Sequence, residues 1–224
     1  MTGNTERFIR RLAEHLEPVR PLPPPWIRTG AWLALAVPYV AVVVLVMSPR
    51  DDLPSKMLDV RFAIEQAAAL ATGIAAAVAA FATVVPGYSK LLVLPLLPLA
   101  LWVGSVGQRC VQDWLGRIVS LQADWVCLPA IILAGALPAF VMAVMLRRGV
   151  PLTPRATAAL GALAAAALGN VGLRMFHPQD ASVTVLVWQC GTVLGLSALA
   201  GCIGRCFLYW RAIGADAHGP VVAR

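Results

Sequence analysis

Charged side chains are scarce in this chain of 224 residues: they make up 13% of it, against 59% for hydrophobic residues. A soluble domain carries about 25% charged residues, because they cover its surface. The chain also lacks a GxxxxGK[ST] phosphate loop, a GxSxG nucleophile elbow and an HExxH metal helix. The low charge excludes a soluble globular protein, and the missing motifs argue against a conventional enzyme.

Histidine is also rare, with only His15, His177 and His218. A haem-redox protein of the membrane needs at least two histidines that face each other inside a helix bundle. None of the three lies deep in an apolar run, so this class of membrane enzyme is disfavoured and no cofactor is expected.

Long apolar runs fill most of the chain. A helix of about 20 apolar residues crosses the hydrocarbon of a bilayer, and backbone groups in lipid must be bonded within the segment. The sequence therefore predicts an all-α membrane protein with six transmembrane helices within residues 26–210. The six predicted spans are Trp26–Met47, Phe62–Val84, Leu91–Gly107, Trp125–Leu146, Ala156–Met175 and Ser182–Leu208.

Small residues are frequent in the second, fifth and sixth runs, and Gly191 and Gly195 form a GxxxG spacing. Such residues let membrane helices approach closely, within one chain or between two copies. Ionisable residues deep in the bilayer, which mark ion pathways, are missing from the pattern. Glu65, Arg174 and Arg205 lie near helix ends, where we expect them to reach water.

The distribution of lysine and arginine predicts the orientation. With the N-terminus in the cytoplasm, twelve of these residues fall on the cytoplasmic side and six on the outer side. Positive residues near span ends favour the cytoplasm, so both termini are expected there, including a tail of residues 211–224. This topology explains the net charge of +7 without nucleic acid binding.

The segment in front of the first run, residues 1–25, is predicted to be a short cytoplasmic amphipathic helix with a spacer. Phe8, Leu12 and Leu16 recur every four residues beside Ile9, which gives one apolar stripe on Thr5–Glu17. Pro18 ends that helix. The eight residues Pro18–Pro25 are rich in proline and reach about 25 Å, at about 3.1 Å per residue.

The apolar stripe needs a surface, because a helix of about 13 residues is marginal alone in water. This surface is either the bilayer or a groove on a soluble partner. The stiff spacer favours the soluble partner, because a helix that lies on the lipid surface does not need to be held away from the membrane.

The outer loops gather side chains that could sense a signal. Cys110 and Cys127 flank the second outer loop, where an oxidising compartment could pair them. Cys127, His177 and Asp180 offer the ligand types that a borderline-soft divalent metal prefers. The alternative is structural: Asp180 caps the sixth helix, His177 lies at a helix interface and Cys127 is a small membrane residue.

Several phrases of the sequence resemble the NrsF family of six-helix membrane anti-sigma factors. They occur in the family's order and spread over residues 12–188: Leu12-Ala-x-x-Leu16-x-Pro18-Val-Arg20, Val84-Val-Pro86-Gly87, Leu94-Pro-Leu-Leu-Pro98, Asp113-Trp114, Arg147-Arg-Gly149-x-Pro151 and Phe176-His-Pro178-x-Asp180-Ala-Ser182 leading to Trp188.

The resemblance implies a negative regulator that holds an extracytoplasmic-function sigma factor at the bacterial inner membrane until a stress signal arrives. Phe8, Ile9, Leu12 and Leu16 would then contact the sigma factor. The family's outer cysteines are thought to serve sensing; one corresponds to Cys127, and the second falls near His177, where this chain departs from the pattern. A small transporter or channel is the alternative function.

Overall fold

The computed structural model describes residues 5–7, 10, 22–84, 89–116, 127–149, 153–178 and 182–208, and within them every regular element is a helix. The elements are α1 Pro25–Val46, α2 Leu53–Met57, α3 Val60–Ala82, a 3₁₀ turn Ser89–Val93, α4 Leu96–Leu115, α5 Cys127–Arg147, α6 Pro154–Phe176, α7 Ser182–Thr184, a π-helix Val185–Cys190 and α8 Gly191–Leu208.

Six of these stretches are long and apolar enough to cross a membrane, which confirms the predicted fold class. The third differs most from its prediction, because α4 continues to Leu115 instead of ending at Gly107. Pro95 and Pro98 lie at the start of α4. The first N–H groups of a helix have no helical acceptor, so proline removes no hydrogen bond there.

Helix α6 lies at the centre of the bundle and packs against α3, α5 and α8. In the apolar membrane-spanning part of α6, 72% of the residues are buried. The corresponding share is 17% for the stretch Lys90–Leu115, which contains α4. Helix α4 is therefore the peripheral member, and most of its surface faces outward.

Glycine lets α5 and α6 approach backbone to backbone. A Cβ built on Gly169 would lie 2.9 Å from the carbonyl oxygen of Ile131 and 3.0 Å from the nitrogen of Gly135. On the other side of α6, a Cβ on Gly204 of α8 would lie 2.8 Å from the carbonyl oxygen of Pro154. These distances are shorter than side chains tolerate, so glycine is required at both contacts.

The GxxxG spacing of Gly191 and Gly195 is not one of these close contacts. A Cβ on Gly195 would meet nothing within 4 Å, and one on Gly191 would only touch the oxygen of Leu186 at 4.0 Å. Of the two possibilities that the sequence leaves open, packing within the chain does not occur at this pair, because both residues lie on the exposed face of α8. Contact between two copies stays a prediction.

The contrast between Gly169 and Gly195 gives a matched pair of variants. Gly169→Ala forces α5 and α6 apart, and we expect a loss of about 1–3 kcal/mol in unfolding free energy, as for other overpacked sites. Gly195→Ala adds the same methyl group to open space, and better helix propensity should raise stability by up to about 1 kcal/mol. Thermal unfolding in detergent, followed by circular dichroism, measures both. Equal melting temperatures would contradict the close packing.

Candidate functional site

The predicted partner-binding stripe falls outside the described part of the chain. Residues 5–7 and residue 10 are helical. Phe8, Ile9, Leu12 and Leu16 are not among the described residues, so their contact surface remains a prediction.

The predicted sensing residues are only partly described. Cys110 is a half-buried free thiol on α4. His177 follows the last residue of α6, and its N–H donates to the carbonyl oxygen of Leu173 at 2.8 Å. Asp180 and the side chain of Cys127 lie outside the described residues, within which no group of three metal-ligating side chains occurs. The disulfide and metal hypotheses therefore remain predictions.

An ion cluster that the sequence did not reveal lies at one end of the bundle. Glu65 of α3 binds Arg109 of α4 at 2.8 Å through Oε1 and Arg174 of α6 at 3.1 Å through Oε2. The exposed fractions of the three side chains are 5%, 18% and 2% respectively. The expectation that Glu65 and Arg174 reach water is wrong, because they pair inside the bundle. We call this group the Glu65 cluster.

The geometry of the Glu65 cluster joins three helices through one carboxylate. Arg174 also lies over the ring of Phe62, with its guanidinium carbon 5.0 Å from the ring centroid. Two guanidinium groups share one carboxylate, so this cluster carries one excess positive charge. A buried charge that loses its partner is strongly destabilising, which makes the cluster a fixed connection rather than a solvated pair.

The π-helix Val185–Cys190 packs beside this cluster. Cys190 is 1% exposed and lies within electrostatic range of Glu65 and Arg174. The neighbouring Gln189 is 1% exposed, and neither its amide nitrogen nor its amide oxygen has a partner among the described residues. Unpaired buried amides cost stability, and π-helices often occur at functional sites.

The opposite end of the bundle holds a second buried cation, Arg28, in the first turn of α1. Its Nη2 donates to the carbonyl oxygen of Met145 at 2.6 Å, and its guanidinium carbon lies 4.4 Å from the centroid of the Phe81 ring. The carbonyl of Met145 lies in the last turn of α5, where no helical N–H is available to it. Arg28 therefore ties the start of α1 to the ends of α3 and α5.

Two further side chains of α1 bind carbonyl groups of α5. The indole nitrogen of Trp32 donates to the oxygen of Pro138 at 2.9 Å, and the hydroxyl of Tyr39 donates to the oxygen of Leu133 at 2.9 Å. With Arg28, these contacts hold α1 against α5 from residue 28 to residue 39.

The end of the proline-rich spacer rests on the same end of the bundle as Arg28. A Cβ built on Gly149, just after α5, would lie 3.3 Å from Cδ1 of Leu22 and 2.3 Å from Cγ1 of Val84. Leu22, which is 42% exposed, therefore lies beside Gly149 at this end of the bundle.

One sequence signal could have revealed the Glu65 cluster. An ionisable residue inside a membrane span marks a functional site by default, and Glu65 lies in an alanine-rich span. Its partner Arg174 is 109 positions further along the chain, so no local spacing connects them.

The comparisons with known proteins identify one family. A family model named NrsF, negative regulator of sigma F, matches residues 12–210. Neither the curated proteins nor the solved structures contain a significant match to the chain.

The Glu65 cluster predicts an order of stability among its variants. Glu65→Gln removes the negative charge that Arg109 and Arg174 share, and we expect a loss of about 3–5 kcal/mol, as when other buried pairs are broken. Arg174→Gln should cost more than Arg109→Gln, because Arg109 is closer to water. The control Lys90→Gln changes an exposed cation and should stay within about 0.5 kcal/mol of the parent chain.

Thermal unfolding in detergent also tests the pairing directly. If Glu65 and Arg174 stabilise each other, the double variant Glu65→Gln with Arg174→Gln should lose less than the sum of the two single losses. Additive losses would show that the two side chains act independently.

Proposed function

The chain belongs to the NrsF family of negative regulators of sigma F, and on that premise we propose that it is a membrane anti-sigma factor for an extracytoplasmic-function sigma factor. In this proposal it holds the sigma factor at the bacterial inner membrane through residues 1–25. It releases the sigma factor when an envelope, metal or oxidative stress signal arrives. It acts as a binding protein and not as an enzyme.

The extent of the family match carries this proposal. The match begins at residue 12 and ends at residue 210, so it includes Leu12 and Leu16 of the stripe, the spacer and all six spans. A match confined to the spans would support only a membrane protein. Because the match also covers the second half of the N-terminal segment, it supports a role for that segment in the proposed regulator.

In the proposed bound state, Phe8, Ile9, Leu12 and Leu16 bury their apolar surface in a groove of the sigma factor. The neighbouring charged residues set the register and the specificity. A tenfold change in affinity requires only about 1.4 kcal/mol of coupling. A small rearrangement of the helices would therefore be enough to release the partner.

Helix α3 offers a physical connection between the two ends of the bundle. Glu65 lies near its start, and Phe81, which supports Arg28, lies near its end. The two are separated by about 24 Å along a helix that rises about 1.5 Å per residue. In the proposal, a signal that breaks the Glu65 cluster moves α3. This movement changes the contact between Phe81 and Arg28, which lies just after the N-terminal segment.

A small transporter or channel is the second candidate, and the Glu65 cluster is the observation that favours it. Buried ion pairs mark ion and proton pathways in membrane proteins. Flux in proteoliposomes that disappears in Glu65→Gln would support this candidate, and its absence would leave the regulator as the explanation.

Leu12 provides the direct test of sigma binding in the full-length protein. We expect Leu12→Asp to release the co-expressed partner sigma factor from the membrane fraction, because a carboxylate in the groove would lose its hydration. Leu12→Met keeps the side-chain volume and should retain the partner. Membrane fractionation with immunoblotting measures both. Retention of the sigma factor by Leu12→Asp would refute the stripe as the contact.

The orientation can be tested with two reporters. With the N-terminus and C-terminus in the cytoplasm, a green fluorescent protein fused after Arg224 should fluoresce. Alkaline phosphatase inserted after Asp51 should be active, because it folds only outside the cytoplasm. The reverse pattern, a dark fusion at residue 224 and inactive phosphatase at residue 51, would invert the topology.

A further inference from the structure

A cleft of about 420 Å³ opens between α3 and α4 beside the Glu65 cluster. Its walls carry polar side chains and apolar side chains, namely Arg61, Glu65, Ser105 and Gln108, with Ile64, Ala100, Leu101 and Gly104. Neither the family nor the proposed regulation assigns a role to this cleft.

The polar and apolar residues of the cleft separate along α4. Gln108 lies near the end of the bundle that holds Arg61, whereas Ala100 and Leu101 lie eight and seven residues deeper. At about 1.5 Å per residue, the cleft runs about 12 Å from the end of the bundle towards its middle. It therefore has a polar mouth and an apolar floor, and it follows the direction in which lipid chains run.

The mouth of the cleft offers one cationic side chain to a ligand. Within the described residues, Arg61 is exposed and its guanidinium donates only to the amide oxygen of Gln112, at 2.9 Å, so it has no carboxylate partner. The carboxylate of Glu65 is shared by Arg109 and Arg174. The remaining N–H groups of Arg61 are thus available to an anion, because a guanidinium has five.

The floor of the cleft is open space. A Cβ built on Gly104 would meet no atom within 4 Å, so glycine leaves room beside Leu101 and Ile64. A free phosphate ion would fill only the mouth. A molecule with an anionic headgroup and an alkyl chain fits both parts.

From the positive mouth, the apolar floor and its depth, we infer that the α3–α4 cleft binds one anionic phospholipid. The phosphate lies against Arg61 and Gln108, and the first part of one acyl chain lies along Ile64, Leu101 and Gly104. Basic pockets between membrane helices bind anionic headgroups in this way. The inference does not depend on the proposed function.

Native mass spectrometry of the full-length protein in detergent tests this inference with defined lipids. Dioleoyl phosphatidylglycerol should remain bound as a single adduct in preference to dioleoyl phosphatidylethanolamine. Arg61→Gln should weaken the phosphatidylglycerol adduct about fivefold, which corresponds to about 1 kcal/mol for one arginine near an anionic surface. Equal retention of the two lipids would overturn the inference.

Two glycine variants separate the cleft from the rest of α4. Gly104→Leu fills the floor and should abolish the adduct. Gly107→Leu is the control, because a Cβ on Gly107 also meets nothing within 4 Å and Gly107 does not line the cleft; it should bind lipid like the parent chain. Unchanged binding in Gly104→Leu would overturn the inference. So would displacement of the lipid by millimolar glycerol phosphate, because that would indicate a simple anion site.

Discussion

The structure depends on the close approach of small residues around α6. Lipid chains are as apolar as leucine, so membrane helices gain no hydrophobic free energy from each other and associate through van der Waals contact. Gly169 lets α6 reach the backbone of α5, and Gly204 lets α8 reach the start of α6. A single methyl group at either contact would separate these helices. The bundle is therefore organised around one helix that has little freedom to shift.

Helix α4 is held by a different kind of force. It lies at the edge of the bundle and buries little of its surface, and its Arg109 reaches inward to Glu65. Van der Waals contacts between apolar side chains do not depend on charge, whereas an ion pair depends on the charge of both partners. The central helices thus form the frame of the bundle, and the Glu65 cluster joins the peripheral α4 to it.

The sequence predicts the six helices well because their formation depends on local apolar character. It predicts the interactions between them poorly. The third predicted span ends at Gly107, whereas α4 continues to Leu115. Within this continuation, Arg109 and Gln112 bind side chains of α3, which no local pattern predicts. Glu65 and Arg174 lie near helix ends, which predicts that they reach water. No local spacing predicts their pairing, because it joins residues 109 positions apart. Gly191 and Gly195 had the spacing of a packed interface but face outward, since spacing does not specify which face of a helix is covered. The partner-binding stripe and the sensing residues were predicted from the sequence and remain predictions.

The contact of Leu22 with Gly149 determines how a captured protein would be presented to the bundle. Only residues 18–21 separate Leu22 from the end of the predicted amphipathic helix. Even fully extended, this connection spans no more than about 18 Å. A folded domain of about 100 residues has a radius of gyration of about 13 Å, so the domain is wider than this connection is long. In the proposed bound state, a sigma factor on the predicted stripe would therefore lie close enough to this end of the bundle for direct contact with the helices.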